Sequence, residues 1–170
     1  MFFYNFLFEE NGKDTDIEGK KFLDIFSPLD GKIVDLSEVP EDIFSQRIMG
    51  DGCAIDPVSN IISSPVNGKF NVFCTGHAVN FDINGLELLI HIGIDSIKLK
   101  GEGFRIISKN GTIEVGQPII QCDFSFLSKK IKSILTPVVI NTMNMIESIE
   151  IPSMGKNIKI GDLLMRAYLK

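Results

Sequence analysis

Histidine chemistry in this chain must use His77 or His91, because the 170-residue sequence contains no other histidine. A zinc site would need a third and a fourth ligand, and neither H-x-H nor H-E-x-x-H spacing occurs. No nucleophile elbow is present, and nothing in the sequence links a serine or a cysteine to either histidine. A histidine that is itself the nucleophile remains, because neutral imidazole, with an ordinary pKa of about 6.5, is nucleophilic near neutral pH.

The segment LELLIHIGID, from Leu86 to Asp95, has the period-two alternation of a strand. Its even positions are all Leu or Ile and fill a core face. His91 is therefore expected to point away from the main core, onto an accessible face that is only partly polar. Gly93 lies on the same side, where it leaves space beside the ring for another surface or marks a packing gap within the strand.

His77 lies in the segment CTGHAVNF, two residues after Thr75. That spacing suits a hydroxyl that orients the imidazole, although threonine is also simply a good strand former. Phosphoryl transfer needs hydrogen-bond donors and few competing negative charges. From residue 70 to residue 94 the only charged side chains are Asp82 and Glu87, so phosphoryl transfer is plausible on the residues alone.

The elements that must position these histidines are predicted to be short strands. From Phe22 onward, runs rich in Ile, Val and Phe alternate with Gly, Pro, Asn and Asp, which is typical of an all-β antiparallel sandwich or a barrel-like fold. The predicted strands include residues 32–36, 69–74, 86–94, 105–108 and 113–115. One or two short helices are expected, and the best candidate runs from Phe124 to Leu135 behind Asp123 or Ser125 as the cap.

Two pairs of segments repeat within the chain. SPLDGKI, from residue 27, recurs as SPVNGKF from residue 64, and IEVGQPII, from residue 113, recurs as IKIGDLLM from residue 158. Pro, Asp or Asn, and Gly in the first pair are turn residues. The echoes predict duplicated strand–turn–strand units with pseudo-symmetry.

Composition limits the classes of function. The chain is 44% hydrophobic, 23% charged and carries a net charge of −5, so it is globular and lacks the basic stripe that nucleic acid requires. Its three widely spaced cysteines predict free thiols in a reducing cytosol, each a small buried hydrophobe. No apolar run approaches the roughly 20 residues of a membrane span. We expect an apolar leader and polar linker over residues 1–21 and one domain over residues 22–170.

HIGIDSIKLKGEGF, which begins at His91, resembles the signature of the glucose-family enzyme IIA of the phosphoenolpyruvate-dependent sugar phosphotransferase system. Ser96 and Ile97 replace a threonine and a valine of that pattern. The resemblance extends from Phe26 to about Lys170 and includes SPLDGKIV, IMGDGCAIDP, SPVNGKF, CTGHAV and TPVVI.

The resemblance implies a phosphotransferase component. His91 would accept a phosphoryl group from the histidine-phosphorylated carrier protein and pass it to a cysteine of a sugar-specific IIB domain. His77 would stabilise the transferring group, and Thr75 would orient His77. The residues expected to dock the partners are Phe44, Phe73, Leu89, Gly93 and Asp95. Neither a cofactor nor a metal is implied, and the same resemblance supports the antiparallel sandwich.

Residues 1–10, MFFYNFLFEE, resemble the apolar leader that lets stand-alone members contact lipid, but they are acidic and contain no lysine. The expected location is the cytoplasm, with weak peripheral contact at the inner face of the membrane if this leader binds lipid.

Three functions are alternatives to the phosphocarrier role. A biotinyl or lipoyl carrier domain is disfavoured because NTMNM has Asn144 where such domains need a lysine. A zinc peptidase lacks ligands. A chiefly regulatory protein, reporting its phosphorylation state to other proteins, stays open as an added role.

Overall fold

The computed structural model describes residues 14–170, which form fifteen strands and two short α-helices. The strands are β1 (Asp14–Thr15), β2 (Lys21–Phe26), β3 (Gly31–Val34), β4 (Asp51–Pro57), β5 (Ile61–Ser63), β6 (Gly68–Val72), β7 (Ala78–Ile83), β8 (Leu86–His91), β9 (Phe104–Ile106), β10 (Asn110–Ile113), β11 (Pro118–Cys122), β12 (Thr136–Ile140), β13 (Ile146–Glu150), β14 (Asn157–Ile158) and β15 (Leu163–Leu169). The helices are α1 (Asp42–Ser45) and α2 (Phe124–Leu127), and 3₁₀ turns cover Leu36–Glu38, Ser96–Leu99 and Met143–Met145.

All strand pairs are antiparallel and form three sheets. The largest has eight strands in the order β10-β6-β7-β8-β12-β4-β3-β14, and the others have the orders β1-β2-β15-β13 and β5-β11-β9. One large apolar cluster joins residues from all three sheets. The prediction of an all-β antiparallel sandwich is confirmed, whereas a barrel is not, because the sheets do not close on themselves.

The repeated segments adopt repeated geometry. Ser27 Oγ donates to Leu29 O at 2.7 Å, and Ser64 Oγ donates to Val66 O at the same distance. The carbonyl oxygen of each serine also accepts a hydrogen bond from a glycine of the second repeated pair of segments. Gly161 N donates to Ser27 O at 3.1 Å, and Gly116 N donates to Ser64 O at 2.9 Å. Both glycines have a φ of about +85°, which a non-glycine residue adopts at a cost. The duplication read from the sequence is therefore a duplication of hydrogen-bonded turns.

The predicted helix over residues 124–135 was wrong in length. α2 ends at Leu127, although Asp123 caps it as expected by accepting from Phe126 N at 2.9 Å. The chain beyond it leaves the helix because Ser133 pairs with Ile94 in a β-bridge. The strand predicted at residues 113–115 was also misplaced, since β10 covers Asn110–Ile113.

The residues before β2 are only partly described. From residue 14 the chain forms a hairpin in which Asp14 and Thr15 pair with β2. Residues 1–10, with their predicted contact to lipid, lie outside the described part of the chain. No helix within residues 14–170 is long and apolar enough to span a membrane.

Candidate functional site

The site lies on the face of the eight-stranded sheet that is turned away from the main core. A second, smaller apolar cluster covers this face, and it consists of Val34, Leu36, Val39, Phe44, Ala54, Ala78, Leu89, Ile94 and Val139. The loop between β3 and β4, residues 35–50, supplies three of these side chains. The sheet therefore has an apolar layer on both sides, and the histidines stand at the margin of the thinner one.

His91 is the last residue of β8 and pairs with Ala78 of β7. As the alternation predicted, it shares the outer face with Leu89 and not the main core. Its Nδ1 lies 2.7 Å from the carbonyl oxygen of Gly93. A carbonyl can only accept, so Nδ1 carries the proton and Nε2 of the neutral ring presents its lone pair.

Gly93 makes this hydrogen bond possible by reversing the chain just after the strand. Its φ is +69°, in the left-handed region that favours glycine. The reversal also ends the alternation, because Ile94, predicted to lie in the main core, belongs to the smaller cluster. A Cβ at Gly93 would lie 2.5 Å from Ile131 Cδ1, so the space predicted beside the ring is filled by the protein itself.

His77 is presented by the turn that joins β6 to β7. Gly76 has a φ of +74°, and a Cβ there would lie 2.9 Å from Phe104 Cβ, so the turn requires glycine. Thr75 Oγ1 lies 2.5 Å from His77 Nδ1, which is the contact that the sequence spacing suggested. His77 O accepts from Ile92 N at 2.7 Å, which fixes this turn beside the end of β8.

The two imidazoles lie edge to face at the ends of neighbouring strands. Their ring centroids are 5.3 Å apart and the ring planes meet at 76°. Phe44 contacts His91, and Phe73 contacts His77, with centroid separations of 5.3 Å and 5.4 Å. Each histidine thus has one phenylalanine neighbour besides the other imidazole, and one oxygen partner at Nδ1.

The surroundings keep both imidazoles neutral near pH 7. Burial lowers the pKa of His91 below its ordinary value, against a weaker opposite effect of the Gly93 carbonyl and of the Glu41 carboxylate. Burial also lowers the pKa of His77, and the charge that His91 would carry lowers it further. Neutral rings are the form in which a histidine nitrogen acts as a nucleophile.

Two of the predicted docking residues are buried and do not lie on an open docking surface. Phe44 is 1% exposed and Leu89 8% exposed, so both lie beneath the site. Phe73 is 44% exposed and is the one apolar residue of the predicted set at the surface. Asp95 adopts a left-handed φ of +67° and its Oδ2 lies 3.3 Å from Lys98 Nζ, as a turn residue beside the site.

Three exposed apolar residues near the site were missed by the sequence reasoning. Ile97, 56% exposed, follows Asp95, while Ile43 and Ile48 flank Phe44 on the 35–50 loop. Periodicity cannot distinguish such side chains from core residues, because they differ only in what covers them.

The burial of one cysteine was also predicted wrongly: Cys74 is exposed, whereas Cys53 and Cys122 are buried.

The described residues 14–170 contain no group of three or more His, Cys, Asp or Glu side chains arranged to hold a metal ion. Two imidazoles with oxygen-bound Nδ1 atoms, on a face of apolar side chains, form an arrangement suited to carrying a group on a ring nitrogen.

Comparison with known proteins assigns the chain to a family. The sequence model described as "phosphoenolpyruvate-dependent sugar phosphotransferase system, EIIA 1" matches residues 23–146. This span covers most of the chain and includes both histidines. The chain belongs to this EIIA family.

Relatives within the EIIA family support the assignment over nearly the whole chain. A PTS system glucose-specific EIIA component of Buchnera aphidicola subsp. Baizongia pistaciae is 42% identical, over 87% of this chain and 88% of the relative. One from Staphylococcus epidermidis is 38% identical, over 87% of this chain and 90% of the relative. The solved structure of glucose permease IIA from Mycoplasma capricolum superposes with a TM-score of 0.77 at 34% identity, covering 86% of this chain and 96% of that one.

Proposed function

We propose that this chain is a phosphocarrier that accepts a phosphoryl group on His91 Nε2 from the histidine-phosphorylated carrier protein. It then passes the group to a cysteine of a IIB domain, which phosphorylates the incoming sugar. The single observation that carries the assignment is the Nδ1 hydrogen bond from His91 to Gly93 O, 2.7 Å long. It selects Nε2 as the nucleophile at the end of an ordered strand.

Acceptance needs no external base. The lone pair of His91 Nε2 attacks phosphorus in line, a new P–N bond forms, and the P–N bond to the donor histidine breaks. The Nδ1 proton stays on the ring, so the phosphorylated imidazole carries a positive charge that the Gly93 carbonyl stabilises. When the P–N bond breaks, its electron pair returns to Nε2 and the ring leaves as neutral imidazole, a good leaving group that suits onward transfer to a thiolate.

His77 and Thr75 would stabilise the group in transit. When the Thr75 hydroxyl donates to His77 Nδ1, the proton of the neutral ring sits on Nε2. With the rings 5.3 Å apart, that N–H can donate to a phosphoryl oxygen, which is the electrostatic stabilisation that phosphoryl transfer requires. Thr75 would be a positioning residue, and His77 a catalytic one.

The partners would dock on the surface above the two rings. Phe73, which contacts His77, is exposed there, while Phe44 and Leu89 would support this surface from below. Gly93 would shape it through the chain reversal, and Asp95 would lie at its edge. Regulatory protein targets, cytoplasmic location and lipid contact through residues 1–10 are further parts of the proposal.

Glucose is the first sugar to test as the transported substrate, because the curated relatives carry "glucose-specific" in their names. We propose that the chain serves glucose uptake.

The decisive experiment is phosphorylation by the general relay proteins and phosphoenolpyruvate, followed by intact mass and acid treatment. Wild type should gain one acid-labile phosphoryl group, and His91→Gln should gain none. His77→Gln is the matched control, since it should still accept the group and pass it on poorly. Labelling of His91→Gln at the wild-type level would refute the site assignment.

A further inference from the structure

One arginine closes the 35–50 loop between β3 and β4. Arg47 Nη2 donates to Asp35 Oδ2 at 3.0 Å, and Arg47 Nε donates to Asp51 Oδ1 at 2.9 Å. Asp35 is the first residue after β3, and Asp51 is the first residue of β4. A single guanidinium therefore joins the two ends of the loop. We call these three side chains the Arg47 clasp.

The backbone of Arg47 ends α1 at a position where glycine is the usual residue. Its φ is +56°, in the left-handed region that costs free energy for a residue with a Cβ. In this conformation Arg47 N donates to Phe44 O at 2.9 Å. Glycine would adopt the same backbone without strain. An arginine here therefore indicates that its side chain contributes something that glycine cannot, and the clasp is that contribution.

The loop that the clasp closes carries the phenylalanine that covers His91. Phe44 is 1% exposed, and its ring centroid lies 5.3 Å from that of His91. The Nδ1 hydrogen bond to Gly93 O fixes one atom of the His91 ring, whereas rotation about that contact is limited by the rings packed on it, Phe44 and His77. His77 is held beside β8 because its carbonyl accepts from Ile92 N. The position of Phe44 depends instead on the closure of its loop.

We propose that Arg47 is a positioning residue for phosphoryl transfer, which holds the loop closed through Asp35 and Asp51. Closure keeps Phe44 packed against His91, so Arg47 acts through Phe44 and not on the phosphoryl group itself. This inference rests on the proposed phosphocarrier function. In-line attack requires Nε2 to be aimed at phosphorus, and a small displacement of a reacting atom lowers the rate strongly.

The test measures acceptance from the histidine-phosphorylated carrier protein by Arg47→Gln, which removes the charge and keeps much of the length of the side chain. Its kcat should fall by about three- to tenfold. Its KM should change by less than about twofold, because the lost interaction acts in the transition state and not in binding. The NMR signals of the His91 ring should also shift, because they sense the ring current of Phe44.

A second variant breaks the clasp from its other side. Asp35→Asn removes the charge that faces Arg47 and keeps an oxygen to accept from Ser37 N. It should lower kcat in the same way, and the double variant with Arg47→Gln should fall no further than Arg47→Gln alone, because Asp35 acts only through Arg47. Arg47→Lys keeps a charge that cannot fork between two carboxylates, so it should recover only part of kcat.

The matched control removes an ion pair from another sheet. Arg166→Gln breaks the contact of Arg166 Nε with Asp24 Oδ1, 2.7 Å long, between β15 and β2. It should leave kcat and the His91 signals unchanged even where thermal stability falls. An equal loss of kcat in Arg166→Gln and Arg47→Gln would overturn the inference, because a general loss of stability would then suffice.

The remaining outcomes separate this inference from the proposed function. Wild-type kcat and wild-type His91 signals in Arg47→Gln would overturn the inference while the proposed function stands. Full activity of Arg47→Gly would overturn it as well, because the turn alone would then seat Phe44. A raised KM with unchanged kcat would assign Arg47 to partner binding and overturn the positioning role. Failure of wild type to be labelled at all would overturn the proposed function and this inference together.

Discussion

Replacing Thr75 by Val tests whether one hydroxyl sets the tautomer of His77. Valine keeps the shape of threonine and removes only the oxygen that lies 2.5 Å from His77 Nδ1. Without that oxygen, nothing in the described contacts of Nδ1 favours a proton on Nε2. The ring is then free to exchange between its two neutral tautomers, and only one of them can donate toward His91.

The expected loss follows from the value of a single hydrogen bond. A neutral hydrogen bond contributes about 0.5–1.5 kcal/mol net, and each 1.36 kcal/mol is a factor of ten in rate. If the whole contribution acts in the transition state, onward transfer from phosphorylated His91 should slow by about 2- to 12-fold. Acceptance should still reach one phosphoryl group per chain, because Thr75 does not contact His91.

The assay combines rapid-quench transfer to a IIB domain with ¹⁵N NMR of the His77 ring. Wild type should show a proton-bearing Nε2, and Thr75→Val a mixture of tautomers with slower transfer. Thr75→Ser restores the hydroxyl and should recover both readouts. A Thr75→Val protein with the wild-type tautomer and the wild-type rate would refute the orienting role of this hydroxyl.

Three further predictions follow from the same geometry. Burial holds the pKa of His91 below about 6.5, so the unfolded chain binds a proton that the folded protein does not. The contribution of neutral His91 to the free energy of unfolding is therefore complete above about pH 6.5 and is lost as the pH falls through the lower pKa of the folded state. NMR titration will measure this pKa, and denaturation of wild type and His91→Gln will measure the contribution to stability. Gly93→Ala should destabilise the fold by about 1–3 kcal/mol, because its φ of +69° is left-handed and an added Cβ would lie 2.5 Å from Ile131 Cδ1, and thermal or urea unfolding will show it. With a thiol reagent the folded protein should react quickly at Cys74 alone, because burial raises the pKa of both Cys53 and Cys122 to about 12.

Each of these predictions has its own control. Gly155→Ala changes another positive-φ glycine, at φ +78° with nothing within 4 Å of the added Cβ, so it isolates the backbone term from the crowding at Gly93. Equal destabilisation by the two would contradict the packing argument. For the thiols, Cys74→Ser should remove the fast reaction, and a persistent fast phase would show that a buried cysteine is accessible. A His91 pKa at or above 6.5 would contradict the pH prediction.

Much of the site could be predicted from local patterns. Alternation in the segment around β8 placed His91 on the face away from the main core, and a two-residue spacing suggested the contact of Thr75 with His77. Repeated Pro, Asp or Asn, and Gly residues indicated the paired turns at Ser27 and Ser64. These features depend on backbone conformation over a few residues, which side-chain type and spacing largely determine.

Other features depend on segments distant in the chain. α2 is shorter than predicted because Ser133 pairs with Ile94 in a β-bridge. This contact between distant segments outweighs the local helix propensity of residues 128–135. The shift of Ile94 to the smaller cluster results from the reversal at Gly93, which period-two alternation does not contain.

The sequence by itself determined which groups could react, the face of the strand on which His91 stands, and the duplicated turns that frame an antiparallel sandwich. Only the tertiary structure decided that Phe44, 47 positions before His91 in the chain, lies buried against its ring. The reason is physical: hydrophobicity and spacing specify that a side chain will be covered, whereas the identity of the covering residue depends on how distant segments pack.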